Sequence, residues 1–301
     1  MLMARQNLLQ QKHRIEAAVK ESQNPLSASC FANIFIWQDF FDFECQEIDQ
    51  NLCVWASNET GTFLYLPPLG KMISPKAVEE CFSLMGKMNN GSSVSRIENV
   101  PGCWIEHFDK ERFSFFAKSP DYVYRKKDIA FLRGDAYKSQ RWAYNHFVKN
   151  SRGRYLSYEP SMLEGCLILF KRWAKERGQR CDDPMYQQML EDNQKVHERV
   201  LRYNRELDLI GRVVMVDGRV AGYSFGVALN QETFCILCEV TDLSVKGTAV
   251  FIFREFCRDQ ALESFSFINA MDDSGLENLK RVKLSFHPVE LISNYVVSLN
   301  V

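Results

Sequence analysis

The 301-residue sequence lacks any apolar run approaching the ~20 residues needed to cross a bilayer; stretches such as Val213–Val216 and Cys235–Cys238 are far shorter. Nor does it open on a secretory signal, because Arg5, Lys12, Arg14 and Glu16 interrupt the amino end where such a signal would be apolar. The expectation is a soluble chain with no transmembrane segment and a cytoplasmic location. Peripheral contact with the inner face of a membrane stays open. The ten cysteines show no compact disulfide spacing, which suits a reducing compartment. Cys235 and Cys238 form a C-x-x-C inside FCILCEV, but this segment reads as a strand, in which residues three apart point to opposite faces. Buried structural thiols are the expectation there.

Two further absences narrow the chemistry. Five histidines include no H-E-x-x-H pair, so no metal site is expected. The G-x-x-x-x-G-K-S/T spacing of a phosphate loop is also missing. A net charge of −1, from 37 basic and 38 acidic residues, means that any affinity for polyanions has to be local.

What is present is a chain with 46% hydrophobic and 13% aromatic residues, enough for a sizeable core without disulfides. Its length favours two domains, since single cores stop growing near roughly 250 residues. Phe41–Cys45, Leu52–Ser57 and Phe63–Leu66 read as short strands around an Asn58-Glu59-Thr60-Gly61 turn. Ser74 and Pro75 start a helix with Ala77, Val78, Cys81, Phe82 and Met85 on one stripe. Strands are expected again at Val94–Ile97 and Phe113–Phe116. The second half repeats the order: helices over Leu163–Trp173 and Met185–Asn204, strands at Val213–Val216, Val220–Ala228 and Thr233–Val240, a helix over Ala249–Gln260 and a strand at Ser264–Ile268. Val282–Phe286 and Tyr295–Leu299 complete a strand-rich tail. This order implies a mixed α/β fold, with helices packed on mixed sheets, that occurs twice.

Between the halves, Tyr124–Arg154 carries Arg125, Lys126, Lys127, Arg133, Lys138, Arg141, Lys149, Arg152 and Arg154 against only Asp128 and Asp135. Tyr137, Trp142, Tyr144 and Phe147 interleave with that charge. Arg133, Lys138 and Arg141 are candidate contacts for phosphate groups of a donor; a hydrated amphipathic connector and a membrane-headgroup contact are the alternatives. The expected division is 1–124 for a first domain, 125–154 for a basic helical connector and 155–301 for a second domain holding the site.

The densest signal begins at CEVTDLSVKGTAVFIFREF. Glu239 ends a strand, Asp242 follows in the turn, and Lys246, Gly247, Thr248 and Ala249 lead into an apolar helix whose first N–H groups lack internal acceptors and suit phosphate oxygens. An ordinary capped connection is the competing reading. Downstream, Asn269, Asp272 and Asp273 lie just past a core strand, with Lys283, His287 and Pro288 beyond them. Polar groups at the carboxyl ends of neighbouring strands converge in one crevice. For acyl transfer, Glu239 or Asp242 would take the acceptor's proton and Lys283 or a backbone N–H would stabilise the oxyanion. Asn269, Asp272 and His287 are candidates for acceptor binding. Asx turns, helix starts and solvated charge are the structural alternatives for these residues.

Taken together, DYVYRKKDIAFLRGDAYKSQRWAYNHF and FINAMDDSGLENLKRVKLSFHP resemble the DUF2156 family, described as phosphatidylglycerol lysyltransferase C-terminal-like. The D-Y-x-Y, D-L-x-x-L-x-G and basic-helix pattern falls at Asp121–Tyr124, Asp128–Gly134 and Lys138–Phe147. The N-R-x-D-x-G and L-R-x-x-K-x-S/Y-x-x-P pattern falls at Asn269, Asp272, Asp273, Gly275, Leu279, Lys280, Lys283, Ser285 and Pro288, with Ala270 where the usual arginine stands. The resemblance implies a duplicated GNAT-like acyltransferase fold, similar also to Fem-type enzymes. It implies transfer of an acyl or aminoacyl group to an amine or hydroxyl acceptor, either a small molecule or a lipid headgroup. Aminoacyl-tRNA or acyl-CoA would serve as cosubstrate, tRNA would be a partner, and no cofactor would be tightly bound. A noncatalytic anion-binding module on the same scaffold is the alternative.

Overall fold

A computed structural model describes residues 7–92 and 94–300; Arg5 of the amino-end reading lies outside them. In chain order the main elements are α1 (Lys12–Ser22), α2 (Phe31–Ile36), β1 (Asp42–Ile48), β2 (Asn51–Asn58), β3 (Gly61–Leu64), α3 (Pro75–Met88), β4 (Ile97–Pro101), β5 (Phe113–Arg125), α4 (Lys126–Phe131) and α5 (Lys138–Asn150). They continue with β6 (Arg154–Ser157), α6 (Leu163–Gly178), α7 (Pro184–Arg202), β7 (Ile210–Val216), β8 (Arg219–Ala228), β9 (Thr233–Thr241), α8 (Thr248–Arg258), β10 (Phe267–Asn269), α9 (Glu277–Leu284) and β11 (Glu290–Leu299).

Caps and apolar spacing explain the clearest helices. The Ser74 side chain accepts from the Ala77 N–H, Pro75 occupies the first turn, and Ala77, Val78, Cys81, Phe82 and Met85 are buried along α3. Asp183 and Pro184 start α7, which buries Leu190, Val196, Val200 and Leu201. Extended structure was harder to place. The strand expected at Val94–Ile97 begins only at Ile97, and that expected at Phe113–Phe116 runs on to Arg125. The strand expected over Val282–Phe286 is absent, because α9 continues through Leu284 and the Phe286 and His287 N–H groups close turns onto Lys283 and Leu284.

The chain forms two compact units, each a mixed sheet with helices against it. The first contains the described residues up to Tyr122, together with Met271–Lys280 and those from Leu291 onward. Its strands follow the order β1-β2-β3-β4-β11-β5, with β3 parallel to β4 and β11 antiparallel to β4. The second contains Val123–Ala270 and Arg281–Glu290. Its order is β5-β10-β9-β8-β7-β6, in which β10 runs parallel to β9 and antiparallel to the last three residues of β5. The basic segment 125–154 is therefore part of the second unit, and the carboxyl-terminal strand is part of the first.

Within the second unit, α5 and α8 pack through Phe147, Val214, Phe251 and Ile252. Elsewhere in that unit, His197 of α7 meets Phe170 of α6 and Tyr223 of β8. These two clusters pack against β7 and β8. Cys235 and Cys238 are both buried on β9.

Candidate functional site

Register sets the position of the acid. Ser224 of β8 lies directly opposite Glu239 of β9, and the ladder slips between Phe225 and Gly226, where Phe225 faces Cys238 and Gly226 faces Ile236. Leu237 is the extra residue, a bulge two positions before Glu239 of the kind that re-aims side chains. Glu239 Oε2 and Ser224 Oγ are both buried without a hydrogen-bond partner. Burial drives the Glu239 carboxyl up to about 8, while the facing Ser224 hydroxyl, which falls short of a full hydrogen bond, and the Lys283 ammonium hold it down. At neutral pH this acid therefore keeps its proton in much of the population and can release it with little driving force.

Lys283 comes from α9, and its ammonium donates to the Ala270 carbonyl just past β10. Tyr124 donates to the Lys283 carbonyl at 3.0 Å. The Tyr124 ring in turn meets Phe253 and Phe286 edge-on, at 5.7 and 6.5 Å. An aromatic cluster thus fixes the last turn of α9 against the sheet. Asn269, fully buried, ends β10 one residue before the Lys283 contact.

Other expected site residues are engaged in local structure. Asp242 Oδ1 accepts from the Ser244 N–H and hydroxyl at 3.0 and 2.6 Å, and its Oδ2 takes Arg172 Nη2 at 2.5 Å. These contacts make Asp242 the organiser of the β9–α8 turn. Asp272 belongs to the first unit and accepts from the Ser274 N–H at 2.8 Å. In the same unit Asp273 accepts from the Tyr122 hydroxyl at 2.6 Å. His287 has φ 54°, with Nε2 3.1 Å from the Ala136 carbonyl and its ring edge-on to Tyr137. Arg141 donates to the Leu132 and Gly134 carbonyls, both at 2.5 Å, and so caps the end of α4. Arg133 lies over the Phe131 ring at 4.9 Å, and Lys138 is exposed at the start of α5.

At the entrance to α8, Gly247 adopts φ +89°, and a Cβ there would stand 2.2 Å from the Ala143 carbonyl oxygen. The missing side chain thus lets α5 approach α8. Thr248 is buried and donates its hydroxyl to the Val245 carbonyl at 2.8 Å, while Ala249 is exposed. Beside them opens a groove of about 460 Å³, lined by His146, Asn150, Ser151, Arg152, Val216, Asp217, Ser244, Val245 and Lys246. Lys246 and Arg152 supply its positive charge. A Cβ at Gly222 would stand 3.2 and 3.3 Å from the Thr241 and Thr248 methyl groups, and Glu239 is two residues, or about 7 Å, back along β9 from Thr241. Among the described residues, no group of three His, Cys, Asp or Glu side chains is arranged to hold a metal ion.

Glu239, Lys283 and Lys246 are candidates from the sequence, whereas Ser224 and the groove position of Arg152 emerge only from the structure. Ser224 is found only through the bulged register. Arg152 counted as one charge among nine in the basic segment.

The second unit thus combines a mixed sheet, a glycine-entered helix after β9 and a buried carboxyl on that strand. Residues 20–298 match the family described as phosphatidylglycerol lysyltransferase, C-terminal, and the chain belongs to it. No curated protein matches the sequence. Among solved structures, a conserved protein of unknown function from Bacteroides thetaiotaomicron superposes with a TM-score of 0.84 at 24% identity, covering 97% of each chain. L-PGS from Bacillus licheniformis gives a TM-score of 0.66 at 12% identity over 95% of this chain and 90% of its own. FemX gives 0.59 at 7% identity, covering 94% and 95%. At these identities the likeness is one of fold. No helix among the described residues is long and apolar enough to cross a membrane.

Proposed function

We propose that this protein, built as two GNAT-like halves, transfers an acyl or aminoacyl group from a phosphate-containing donor to an amine or hydroxyl acceptor, with aminoacyl-tRNA as the leading donor. The observation that carries the reading is the Glu239 carboxyl, with Oε2 buried and unpartnered and its pKa pushed up to about 8. A buried acceptor without a donor is unfavourable by about 1–3 kcal/mol. An incoming amine or hydroxyl would supply the missing hydrogen bond.

In this reading the acceptor's nitrogen or oxygen attacks the acyl carbonyl carbon as its proton passes to the Glu239 carboxylate. The carbonyl electron pair moves onto oxygen to give a tetrahedral oxyanion. Collapse reforms the carbonyl and expels the donor's ribose oxygen, which takes the proton back from Glu239. A group with its pKa near the working pH serves both steps. Lys283, tied to the Ala270 carbonyl, supplies positive charge that keeps the Glu239 carboxylate accessible in energy. Lys246 and Arg152 would hold donor phosphates in the groove beside α8. Acyl-CoA is the second donor reading, favoured by the same two cations; there the donor's thiolate is the leaving group.

The test is a donor panel of aminoacyl-tRNAs and acyl-CoAs, offered with amine, hydroxyl and phosphatidylglycerol acceptors, and run with the wild-type chain and Glu239→Gln. Product from one donor class, lost in the variant with folding retained, supports the reading. Donor binding without turnover on any acceptor would instead leave the protein a noncatalytic anion-binding module.

A further inference from the structure

Trp142 is 64% exposed in the middle of α5, an unfavourable position for the largest apolar side chain unless something covers it. One face of the indole is already occupied: the His146 ring stacks on it at 5.2 Å and 24°. Among the described residues no second ring stacks on it. One turn further, Asn150 Nδ2 donates to the His146 carbonyl at 2.8 Å and lies 3.2 Å from His146 Nδ1. Both N–H groups of that amide are thereby directed at His146, which makes Nδ1 the acceptor and leaves the ring proton on Nε2 as a donor.

Residues 142, 146 and 150 share one stripe of the helix, spanning about 12 Å at ~1.5 Å per residue. His146 and Asn150 also line the groove that contains Arg152 and Lys246. No ion pair neutralises either cation among the described residues, and Asp217 is the groove's one acidic lining residue. A flat exposed ring therefore leads, through a fixed imidazole donor and an amide, into a cationic groove. Phosphate oxygens fit the groove, and a planar base fits the open face of the ring, one to two helical turns away.

We infer that Trp142 is the stacking platform for the base of an adenosine nucleotide whose phosphates occupy the Lys246–Arg152 groove. This deepens the donor reading above and rests on it. The aminoacylated end of tRNA and CoA share that chemistry, each presenting adenosine beside phosphate, and the platform does not choose between them. A purine's two fused rings match the outline of the indole, and Trp142 gains apolar contact that it lacks in the free protein.

The experiment compares wild-type protein, Trp142→Ala and Trp142→Phe by equilibrium binding of four probes: CoA, a minihelix RNA ending in CCA, the same RNA with an abasic 3′ nucleotide, and inorganic pyrophosphate. Binding of CoA, the CCA-ended RNA or both should weaken by roughly 10-fold in Trp142→Ala and largely recover in Trp142→Phe. Pyrophosphate and the abasic RNA should bind all three proteins alike. The unfolding midpoint should stay unchanged, because the side chain is exposed. Which of CoA and RNA responds identifies the nucleotide's source. Affinities within twofold across the variants would overturn the platform while leaving the donor reading in place. Failure of CoA and CCA-ended RNA to bind wild-type protein would overturn both.

Discussion

Gly247 lies so close to Ala143 that a single added carbon would stand 2.2 Å from the Ala143 carbonyl oxygen. The contact joins the entrance of α8 to the backbone of α5, and φ at Gly247 is left-handed as well. Gly247→Ala should destabilise the protein by about 2 kcal/mol or more, since the left-handed conformation alone is unfavourable by roughly 1–2 kcal/mol for an L-residue. Urea unfolding measures this directly. A loss under 0.5 kcal/mol would mean that α5 can retreat from α8 freely.

Glu239 makes stability depend on pH in an unusual direction for a carboxylate. Its folded pKa, about 8, exceeds the ordinary value of 4.5, so between these values the folded state binds more protons than the unfolded state. Stability then falls as pH rises from about 4.5 to about 8, with a slope approaching 1.4 kcal/mol per pH unit. Glu239→Gln should flatten that limb and unfold at higher denaturant than wild type at pH 9. An unchanged pH profile would contradict the buried-acid assignment.

His197 tilts the opposite side of the profile. Burial lowers its pKa from 6.5 to about 3, and its Nδ1 lies 2.9 Å from the Tyr223 hydroxyl. The folded state therefore holds fewer protons than the unfolded state between those values, and stability declines as pH drops from about 6.5 toward 3. His197→Gln should remove most of this acid limb in equilibrium unfolding at pH 4 and 6.

In the proposed reaction, Lys283 would act through Glu239. Lys283→Met removes a charge that lowers the Glu239 pKa, so the rising limb of a kcat/KM–pH profile should move alkaline by about one unit while transfer at pH 7 drops roughly tenfold. Lys283→Arg should restore part of both. A drop in rate with no movement of the profile would assign Lys283 a role in holding Ala270 alone.

Arg212 and Asp259 form a two-pronged pair, with Nε and Nη2 at 2.5 and 2.9 Å from the two carboxylate oxygens and the Tyr155 hydroxyl at 3.0 Å. Burial raises the Asp259 carboxyl, but hydrogen bonds from Arg212 and the Ala261 N–H outweigh it, and the net shift is downward. Its contribution is therefore present at neutral pH and is lost as pH falls below the ordinary aspartate range. Asp259→Ala should destabilise by roughly 2–3 kcal/mol at pH 7, by leaving Arg212 without its partner, and by much less at pH 3.

The parts legible in the sequence were those decided locally. Ser74, Pro75 and the stripe from Ala77 to Met85 suffice to place α3, and Gly247 marks the start of α8. Val282–Phe286 misled because a valine and a phenylalanine in alternation suit a strand, whereas the helix there depends on Tyr124 and Phe253 from distant segments. Glu239 and Lys283 could be named because carboxylate and ammonium groups advertise their chemistry. Arg141 and Thr248 are donor-phosphate candidates in the sequence, and in the structure both bond backbone carbonyls, partners that no side-chain pattern reveals. Ser224 requires the register of a bulged ladder.

The interleaving of the two units has a practical corollary for dissection. Because β11 pairs with β4 through Asn294–Pro101 and Tyr295–Val100, a fragment ending at Tyr122 would expose a naked strand edge along β4. Such edges invite self-association. Separately expressed halves should therefore precipitate or pair with one another, and a split reporter would have to cut inside a surface turn of one unit to yield two soluble pieces.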